Sequence, residues 1–499
     1  MQIELKDQQA TELFAADLAE LLKNGDVIAL SGDLGTGKST LSRALLRHMA
    51  ADPALEVPSP TFTLVQTYSL PRMSIAHFDL YRIEEPEELD ELGLEEYLEE
   101  GVALIEWPEM GDPSYWPDAL EIKLEEGIEP DTRVLTLYAN SDDWEQRLDR
   151  LAARRALIEN AGWQNAERTH VKGDASTRAY LRLSRDGETA ILMDNPARHG
   201  EPALHSGKTY AQLVHLAADI KPFIAIAEEL KRQGFVVPNI LAADIESGMA
   251  LLSDLGNDFI VVDGKPVEER YEASIDVLAA MHSRALPEVI ESELAGSVTM
   301  PTYDAQALVT ECELFLDWYL PYLINATASP EQRAAFGDAW RDALAPLEAS
   351  PKTWVLRDYH SPNLLWDQNA EGTDRIGIID FQDAQLGHPA YDVASLVYDA
   401  RFDVPQDMRE RLVNRYCAAR AASEPAFDEA AFRYALAVCA AQRNTKILGG
   451  FVRLDRAFGK PTYLKELDRI RCYLDDALAH PQLKNLKQLL DVILLSKQL

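Results

Sequence analysis

The sequence predicts two unlike domains in one chain: an α/β domain built on a mainly parallel sheet, then an α+β domain of two lobes, a small β-rich lobe ahead of a large helical one. Three observations predict this. Strand-like and helix-like segments alternate up to about residue 140, the pattern of a parallel sheet with helical crossovers. The chain then turns polar at Ala139-Asn140-Ser141-Asp142-Asp143. Beyond that break, short strands joined by a tight turn give way to long stretches of helical periodicity. At about 150 residues per folding unit, 499 residues amount to roughly three units. The boundary is expected near residue 145, giving domains 1–145 and 146–499, the second with its small lobe at about 160–255 and its large lobe at about 256–499.

Taken in order, Gln2–Leu5 reads as a short strand and Gln9–Leu22 as a helix. Asn24-Gly25-Asp26 signals a turn before a buried strand, Val27–Leu30, and a helix follows from Lys38. Further strands are expected at Phe62–Tyr68, Ser74–Asp79, Val102–Glu106, Leu120–Leu124 and Arg133–Tyr138. Between the second and third of these runs the acidic stretch Glu84–Glu100, where Leu89, Leu92, Leu94 and Leu98 recur at helical intervals. It is either a solvated helical face or a docking surface for a basic partner. Trp144–Asn160 reads as a helix carrying several arginines. Ala179–Ser184 and Thr189–Met193 flank Arg185-Asp186-Gly187, a hairpin signature. Helical periodicity dominates Leu204–Gly234, and Ile240–Asp244 with Met249–Ser253 forms a second strand pair. The remainder is helical apart from Trp354–Trp366 and Arg375–Phe381.

Composition narrows the function classes. With 47% hydrophobic and 26% charged residues the chain is an ordinary globular protein. No apolar run is long enough to span a bilayer, and MQIELKDQQATELF lacks the basic start and apolar core of a signal peptide, so the expected setting is the cytoplasm, with no membrane. Cys312, Cys417, Cys439 and Cys472 are far apart, without metal-ligand spacing, and are expected to be reduced core thiols. The net charge of −35 opposes a phosphate backbone, so no strong direct nucleic-acid binding is expected and any link to RNA should run through a protein partner.

Two stretches carry chemistry. Gly32-Asp33-Leu34-Gly35-Thr36-Gly37-Lys38-Ser39-Thr40 has the form G-x-x-x-x-G-K-S between a strand and a helix. Glycines there let backbone N–H groups turn inward around phosphate oxygens, Lys38 reaches the β- and γ-phosphates, and Ser39 can ligand Mg²⁺. This predicts an ATP or related triphosphate site. Such a site needs acids, and Asp79 and Glu106 stand at the ends of two predicted strands. The set formed by the P-loop, Ser59-Pro60-Thr61-Phe62-Thr63, His77-Phe78-Asp79-Leu80-Tyr81-Arg82 and Ile105-Glu106-Trp107-Pro108-Glu109 closely resembles the TsaE (YjeE) family over nearly all of residues 1–140. The resemblance implies an ATPase that supports threonylcarbamoyladenosine synthesis at position 37 of tRNA by acting on a TsaB/TsaD protein complex. It implies that Lys38, Ser39 and Thr40 hold phosphate and metal, that Asp79 is the Mg²⁺-side acid and Glu106 the hydrolysis-linked acid, that Trp107 lies beside the nucleotide, and that Thr61 and Thr63 belong to a γ-phosphate-sensing segment. Slow or partner-dependent hydrolysis is expected, because no arginine finger is apparent.

The second stretch is Arg357-Asp358-Tyr359-His360-Ser361-Pro362-Asn363, followed by Ile379-Asp380-Phe381. Kinase chemistry calls for a base near the acceptor hydroxyl, an Asn on metal and an Asp bridging metal to phosphate, and Asp358, Asn363 and Asp380 have that order and spacing. With Gln382-Asp383-Ala384-Gln385-Leu386-Gly387-His388-Pro389-Ala390-Tyr391-Asp392, this resembles the aminoglycoside phosphotransferase family, whose counterpart of Asp392 supports the catalytic loop. Gly173-Asp174-Ala175-Ser176-Thr177-Arg178 sits where a phosphate-covering loop belongs, marking Gly173, Ser176 and Arg178. Leu251-Leu252-Ser253-Asp254-Leu255-Gly256 sits where the adenine-binding hinge belongs, marking Asp254. The fold class expected is therefore an α/β P-loop domain followed by an α+β bilobal, aminoglycoside phosphotransferase-like domain.

Met193 stands where protein kinases place their phosphate-pairing lysine. That departure is compatible with an inactive kinase. Gly173–Ser176, Ile191–Asp194, Leu314–Leu320 and Gln442–Gly449 nevertheless resemble the AmgK family of anomeric N-acetylmuramate and N-acetylglucosamine kinases, which implies an ATP- and Mg²⁺-dependent kinase making a sugar 1-phosphate for cell-wall recycling, with Arg178 or Arg182 supplying the missing charge. Tyr359, His360 and His388 flank the acceptor side. Arg443, Lys446 and Arg453 are the cations suited to a lactyl carboxylate. Two other readings stand beside this one: a non-catalytic nucleotide-binding partner module, and a kinase for another alcohol or an aminoglycoside.

Overall fold

The computed structural model describes residues 1–83, 88–171, 178–198, 203–205 and 207–495. The chain divides into two compact units. The first runs from Met1 through the hairpin ending at Asp194, with Met249–Leu251 added, and the second holds Asn195–Gly248 and the chain from Leu252 onward.

The first unit is built on a seven-stranded sheet of β1 (Gln2–Leu5), β2 (Val27–Ser31), β3 (Val65–Ser69), β4 (Ser74–Asp79), β5 (Gly101–Glu106), β6 (Leu120–Glu126) and β7 (Arg133–Ala139), in the order β1-β7-β6-β2-β5-β4-β3. Pairs β2–β5, β2–β6 and β4–β5 are parallel, whereas β7 and β3 run antiparallel to their neighbours, so the sheet is mixed with most strands pointing one way. The central strands are apolar on both faces, as strands covered on both sides must be. Helices α1 (Gln8–Ala19) and α2 (Lys38–Ala50) pack on one face through Phe14, Leu18, Leu41, Leu45 and Leu46. The other face buries Phe78, Ile105 and Trp116 beneath α3 (Glu88–Glu91) and α4 (Leu94–Glu100), so Leu89 and Leu94 of the acidic stretch are core residues; Glu84–Pro86 and Glu87 lie outside the described residues. The β3 strand starts three residues later than expected. Pro60–Leu64 turns instead, with the Leu64 amide donating to the Pro60 carbonyl and Leu64 at φ +64°.

Helix α5 (Asp142–Asn160) begins at a Ser141 cap and leads into β8 (Glu167–Val171), β9 (Ala179–Arg185) and β10 (Glu188–Asp194), an antiparallel run whose Asp186-Gly187 turn has two positive φ values, as a tight hairpin requires. Three buried carboxylates tie these elements together. Asp17 of α1, wholly buried, accepts from Arg155 of α5 at 2.7 Å and from Arg168 of β8 at 2.9 Å. Glu20 pairs with Arg72 at 2.5 Å and with His170 of β8 at 3.0 Å. Asp194 of β10 holds Arg150 and Arg154 of α5.

The second unit is mainly helical. Its longest element, the thirty-residue helix Glu429–Phe458, packs against Ala305–Leu314 and the π-helical turn Phe315–Tyr319 that continues it. Gly449 permits this approach, because a Cβ there would lie 2.2 Å from the carbonyl carbon of Leu314. The expected helix over 204–234 is confined to Tyr210–Leu213 and Lys221–Arg232, the latter started by Pro222 in its first turn. Cys312, Cys417 and Cys439 are buried thiols, but Cys472 is exposed, contrary to expectation: it lies on the polar face of the amphipathic helix Leu467–Leu478. Among the described residues no helix is long and apolar enough to cross a membrane.

Candidate active sites

The P-loop site forms where β2 hands the chain to α2. Gly32 at φ +136° has no room for a side chain, since a Cβ would meet the Leu124 carbonyl oxygen at 2.3 Å, and Gly35 and Gly37 are also left-handed. The loop thereby presents Thr36 and Lys38 at the start of α2, with Thr40 in the same first turn. The Lys38 ammonium donates to the Gly32 and Asp33 carbonyls at 2.6 and 3.0 Å and lies 3.6 Å above the Trp107 ring.

Parallel register sets Asp79 beside Glu106 at the carboxyl ends of β4 and β5, next to the strand that feeds the loop. Both are almost fully buried, and each is satisfied by hydroxyls. Glu106 accepts from Ser39 at 2.7 Å and Ser42 at 2.8 Å, with His77 Nε2 at 2.9 Å. Asp79 accepts from Ser59 and Thr61, both at 2.7 Å. Thr61 is thus joined to Asp79, while Thr63 is exposed. The Ser39 hydroxyl and the Asp79 carboxylate are hard oxygen donors suited to Mg²⁺. Ser42, which holds Glu106, was not singled out by sequence, its only signal being that it follows Ser39 by three residues; His77 was part of a family-like string, but its contact with Glu106 was not foreseen.

In the second unit Arg357 at φ +69° and Asp380 at φ +63° hold left-handed backbone without being glycine, a cost that marks functional loops. Asp392, wholly buried, accepts from the Leu356 and Arg357 amides at 2.7 and 2.9 Å and so fixes the turn that presents Asp358. Burial raises its pKa to about 7, against the two amides that favour its charge. Asp399, also fully buried, receives the Ser361 amide at 3.0 Å and the Tyr271 hydroxyl at 3.2 Å. Asn363 donates its amide nitrogen to the Asp358 carbonyl at 2.9 Å and to Asp380 at 3.3 Å, so the three residues meet at one point of the loop. Two oxygen donors suit an Mg²⁺ otherwise ligated by phosphate and water; among the described residues no cluster of three His, Cys, Asp or Glu is placed to hold a metal. Phe381 stacks on Phe223 at 4.9 Å, anchoring the Asp380 loop to the helix Lys221–Arg232.

Asp358 is the base the sequence proposed. Burial works to raise its pKa, but the positive fields of His360, Lys446, Arg357 and Arg443 outweigh it and hold the carboxyl below the usual aspartate value. Behind it lies a network the sequence did not reveal: Glu311, wholly buried, receives Arg357 and Tyr303, Lys446 at 2.8 Å and Gln442 at 3.2 Å. Its only sequence signal was the string Gln442–Gly449. Lys446 is thus engaged by Glu311. Tyr359 donates to the Ser274 carbonyl at 2.8 Å and is buried, and His388 accepts the Ala390 amide at 3.2 Å. Asp254 accepts from the Gly256 amide at 2.9 Å, shaping the turn after Ser253. Arg178 stands just before β9 and Arg182 within it, opposite Ile191, while Gly173 and Ser176 lie outside the described residues. Met193 is buried in β10.

A glycine-lined phosphate cradle on one scaffold and a loop Asp, Asn and second Asp on another define a P-loop nucleotide hydrolase joined to a kinase-fold phosphotransferase. The chain belongs to the phosphotransferase enzyme family, which matches residues 167–431, and residues 5–134 match the family of threonylcarbamoyl adenosine biosynthesis protein TsaE. It is 35% identical over 355 residues to the N-acetylmuramate/N-acetylglucosamine kinase of Caulobacter vibrioides, covering 69% of this chain and 96% of that protein. The kinase of the same name from Pseudomonas aeruginosa is 31% identical, over 66% of this chain and 90% of that protein. The tRNA threonylcarbamoyladenosine biosynthesis protein TsaE of Rickettsia felis is 37% identical over 139 residues, 28% of this chain and 80% of that protein.

Proposed function

We propose that the chain joins two ATP-dependent, cytoplasmic activities: a carboxy-terminal kinase that phosphorylates the anomeric hydroxyl of N-acetylmuramate and N-acetylglucosamine, and an amino-terminal ATPase that serves tRNA threonylcarbamoyladenosine synthesis through a TsaB/TsaD-like protein complex. The observation that carries the kinase reading is the convergence of Asp358, Asn363 and Asp380, with the catalytic turn pinned by Asp392. Asp358 takes the proton of the sugar hydroxyl as its oxygen attacks the γ-phosphorus, and ADP leaves. Asn363 and Asp380 would hold Mg²⁺, which supplies charge neutralisation on the phosphates. In the amino-terminal domain Lys38 would pair with the β- and γ-phosphates, Ser39 and Asp79 would hold Mg²⁺, and Glu106 would orient the attacking water. The net charge of −35 supports action on RNA through proteins rather than by direct contact.

A non-catalytic kinase-fold module is favoured by one observation, the buried Met193 in place of a cation. Phosphoryl transfer from ATP to N-acetylmuramate, N-acetylglucosamine, galactose and an aminoglycoside, followed by phosphorus NMR, separates the readings. A sugar 1-phosphate from wild type and Lys38→Ala, absent with Asp358→Asn, is the result expected. ATP binding without transfer to any acceptor overturns the kinase proposal in favour of the module, and transfer only to galactose or the aminoglycoside overturns the amino-sugar substrate.

A further inference from the structure

Arg443 is anomalous. It lies inside the helix Glu429–Phe458, its residue surface 5% exposed, and its Nη1 is buried without a hydrogen-bond partner. Its neighbours on that helix are committed: Gln442 donates to the Leu308 carbonyl and Glu311, Asn444 to the Ala440 carbonyl, Thr445 to the Ala441 carbonyl, and Lys446 to Glu311. Arg357, beside the base, is likewise paired, with Glu311. A buried guanidinium nitrogen left without an acceptor is costly, and an arriving anion would remove that cost. The groups that feel its charge show where: Asp358, His360, Tyr391 and Asp392, the base and the loop around it. Asp392 already has two amide donors, and Asp358 must stay available to a hydroxyl proton, so neither carboxylate is its partner. Two further orphaned atoms, His360 Nδ1 and Ser361 Oγ, lie in the same loop.

We propose that Arg443 is a substrate-side anion receptor beside the kinase base, taking an anionic oxygen of the reactants when they are bound. This rests on the kinase reading above. Two sources of such oxygen exist in that reaction, the carboxylate that N-acetylmuramate carries and N-acetylglucosamine lacks, and the phosphoryl group in transfer. Guanidinium planarity suits either, since both offer two oxygens to parallel N–H donors.

The test compares full-length wild type, Arg443→Gln and Arg443→Lys with both sugars, alongside thermal unfolding. For a carboxylate receptor, Arg443→Gln raises the KM for N-acetylmuramate at least tenfold more than the KM for N-acetylglucosamine. For a phosphoryl receptor, kcat falls at least tenfold with both sugars while both KM values hold. In either case Arg443→Lys recovers part of the loss, and the Gln variant unfolds no earlier than wild type, because removing an unpaired buried charge relieves the fold. Unchanged kinetics with both sugars overturns the proposal, as does a Gln variant that melts well below wild type, which would make the arginine structural. A wild-type protein that phosphorylates neither sugar overturns the kinase reading itself.

Discussion

Replacing Asp17 with Asn keeps the shape of a fully buried side chain and removes the charge that Arg155 and Arg168 share. Arg155, whose side chain is 32% exposed, can turn to water, so its part is at most ~1 kcal/mol. Arg168, at 3%, cannot. Removing one partner of a buried pair costs about 3–5 kcal/mol. Arg168 retains the Gln164 and Ala166 carbonyls as acceptors, which places the expected loss at the low end, ~3 kcal/mol. Hydrogen exchange of the α1 and β8 amides in native buffer reads that unit alone. The control removes both charges, Asp17→Leu with Arg168→Met, and should lose far less than the single variants together, because no uncompensated charge remains. A loss under about 1 kcal/mol for Asp17→Asn, or a double variant no better than the sum, refutes the idea that Asp17 neutralises a buried cation.

Gly32→Ala should abolish triphosphate binding at the P-loop, measured by calorimetry on the Asp380→Ala background, because the new methyl would strike the Leu124 carbonyl; retained affinity would count against the cradle as drawn. Asp358→Asn should lower the kinase kcat by about 10²–10⁴-fold, the usual contribution of a positioned base, with the P-loop ATPase rate intact. Lys446→Met should move the acid limb of kinase kcat/KM to higher pH, since Lys446 helps hold the Asp358 carboxyl below its ordinary value; an unmoved limb would separate the two groups. His388 is held neutral to about pH 4 by burial and by Arg420, whereas an unfolded imidazole protonates near 6.5, so the unfolded chain binds the extra proton and stability falls as pH drops from about 6.5 to 4. His388→Asn, which can still cap the Ala390 amide, should flatten that part of the stability profile.

Local signals made much of this legible. The glycines at 32, 35 and 37, the strand-end acids Asp79 and Glu106, and the Asp358, Asn363, Asp380 order are short-range patterns dictated by the chemistry, and the structure brings each set together. What escaped depends on distance along the chain. Asp17 and Arg168 are 151 residues apart and Glu311 and Lys446 are 135 apart, and nothing in either neighbourhood names its partner. The late start of β3 was hidden because Thr61 and Phe62 look strand-like; the Thr61 hydroxyl goes instead to Asp79, and Phe62 is left 86% exposed. The hairpins Val261–Pro266 and Val289–Thr299 are two to four residues per strand, too short for alternation to register.

The backbone contact at Gly449 acts as a caliper. Glu311 lies one turn before Leu314 on one helix and Lys446 one turn before Gly449 on the other, so the gap between the two helices at their closest point is fixed by a hydrogen atom where any other residue would carry carbon. Rows of side chains between helices can repack and let the axes drift, but main chain against main chain cannot. The 2.8 Å Lys446–Glu311 pair, and through Glu311 the guanidinium of Arg357 that precedes Asp358, therefore inherit a fixed spacing from a residue without a side chain. Divergence of the acceptor pocket can proceed on the loops around this pair of helices while their separation, and the field they impose on Asp358, stays constant.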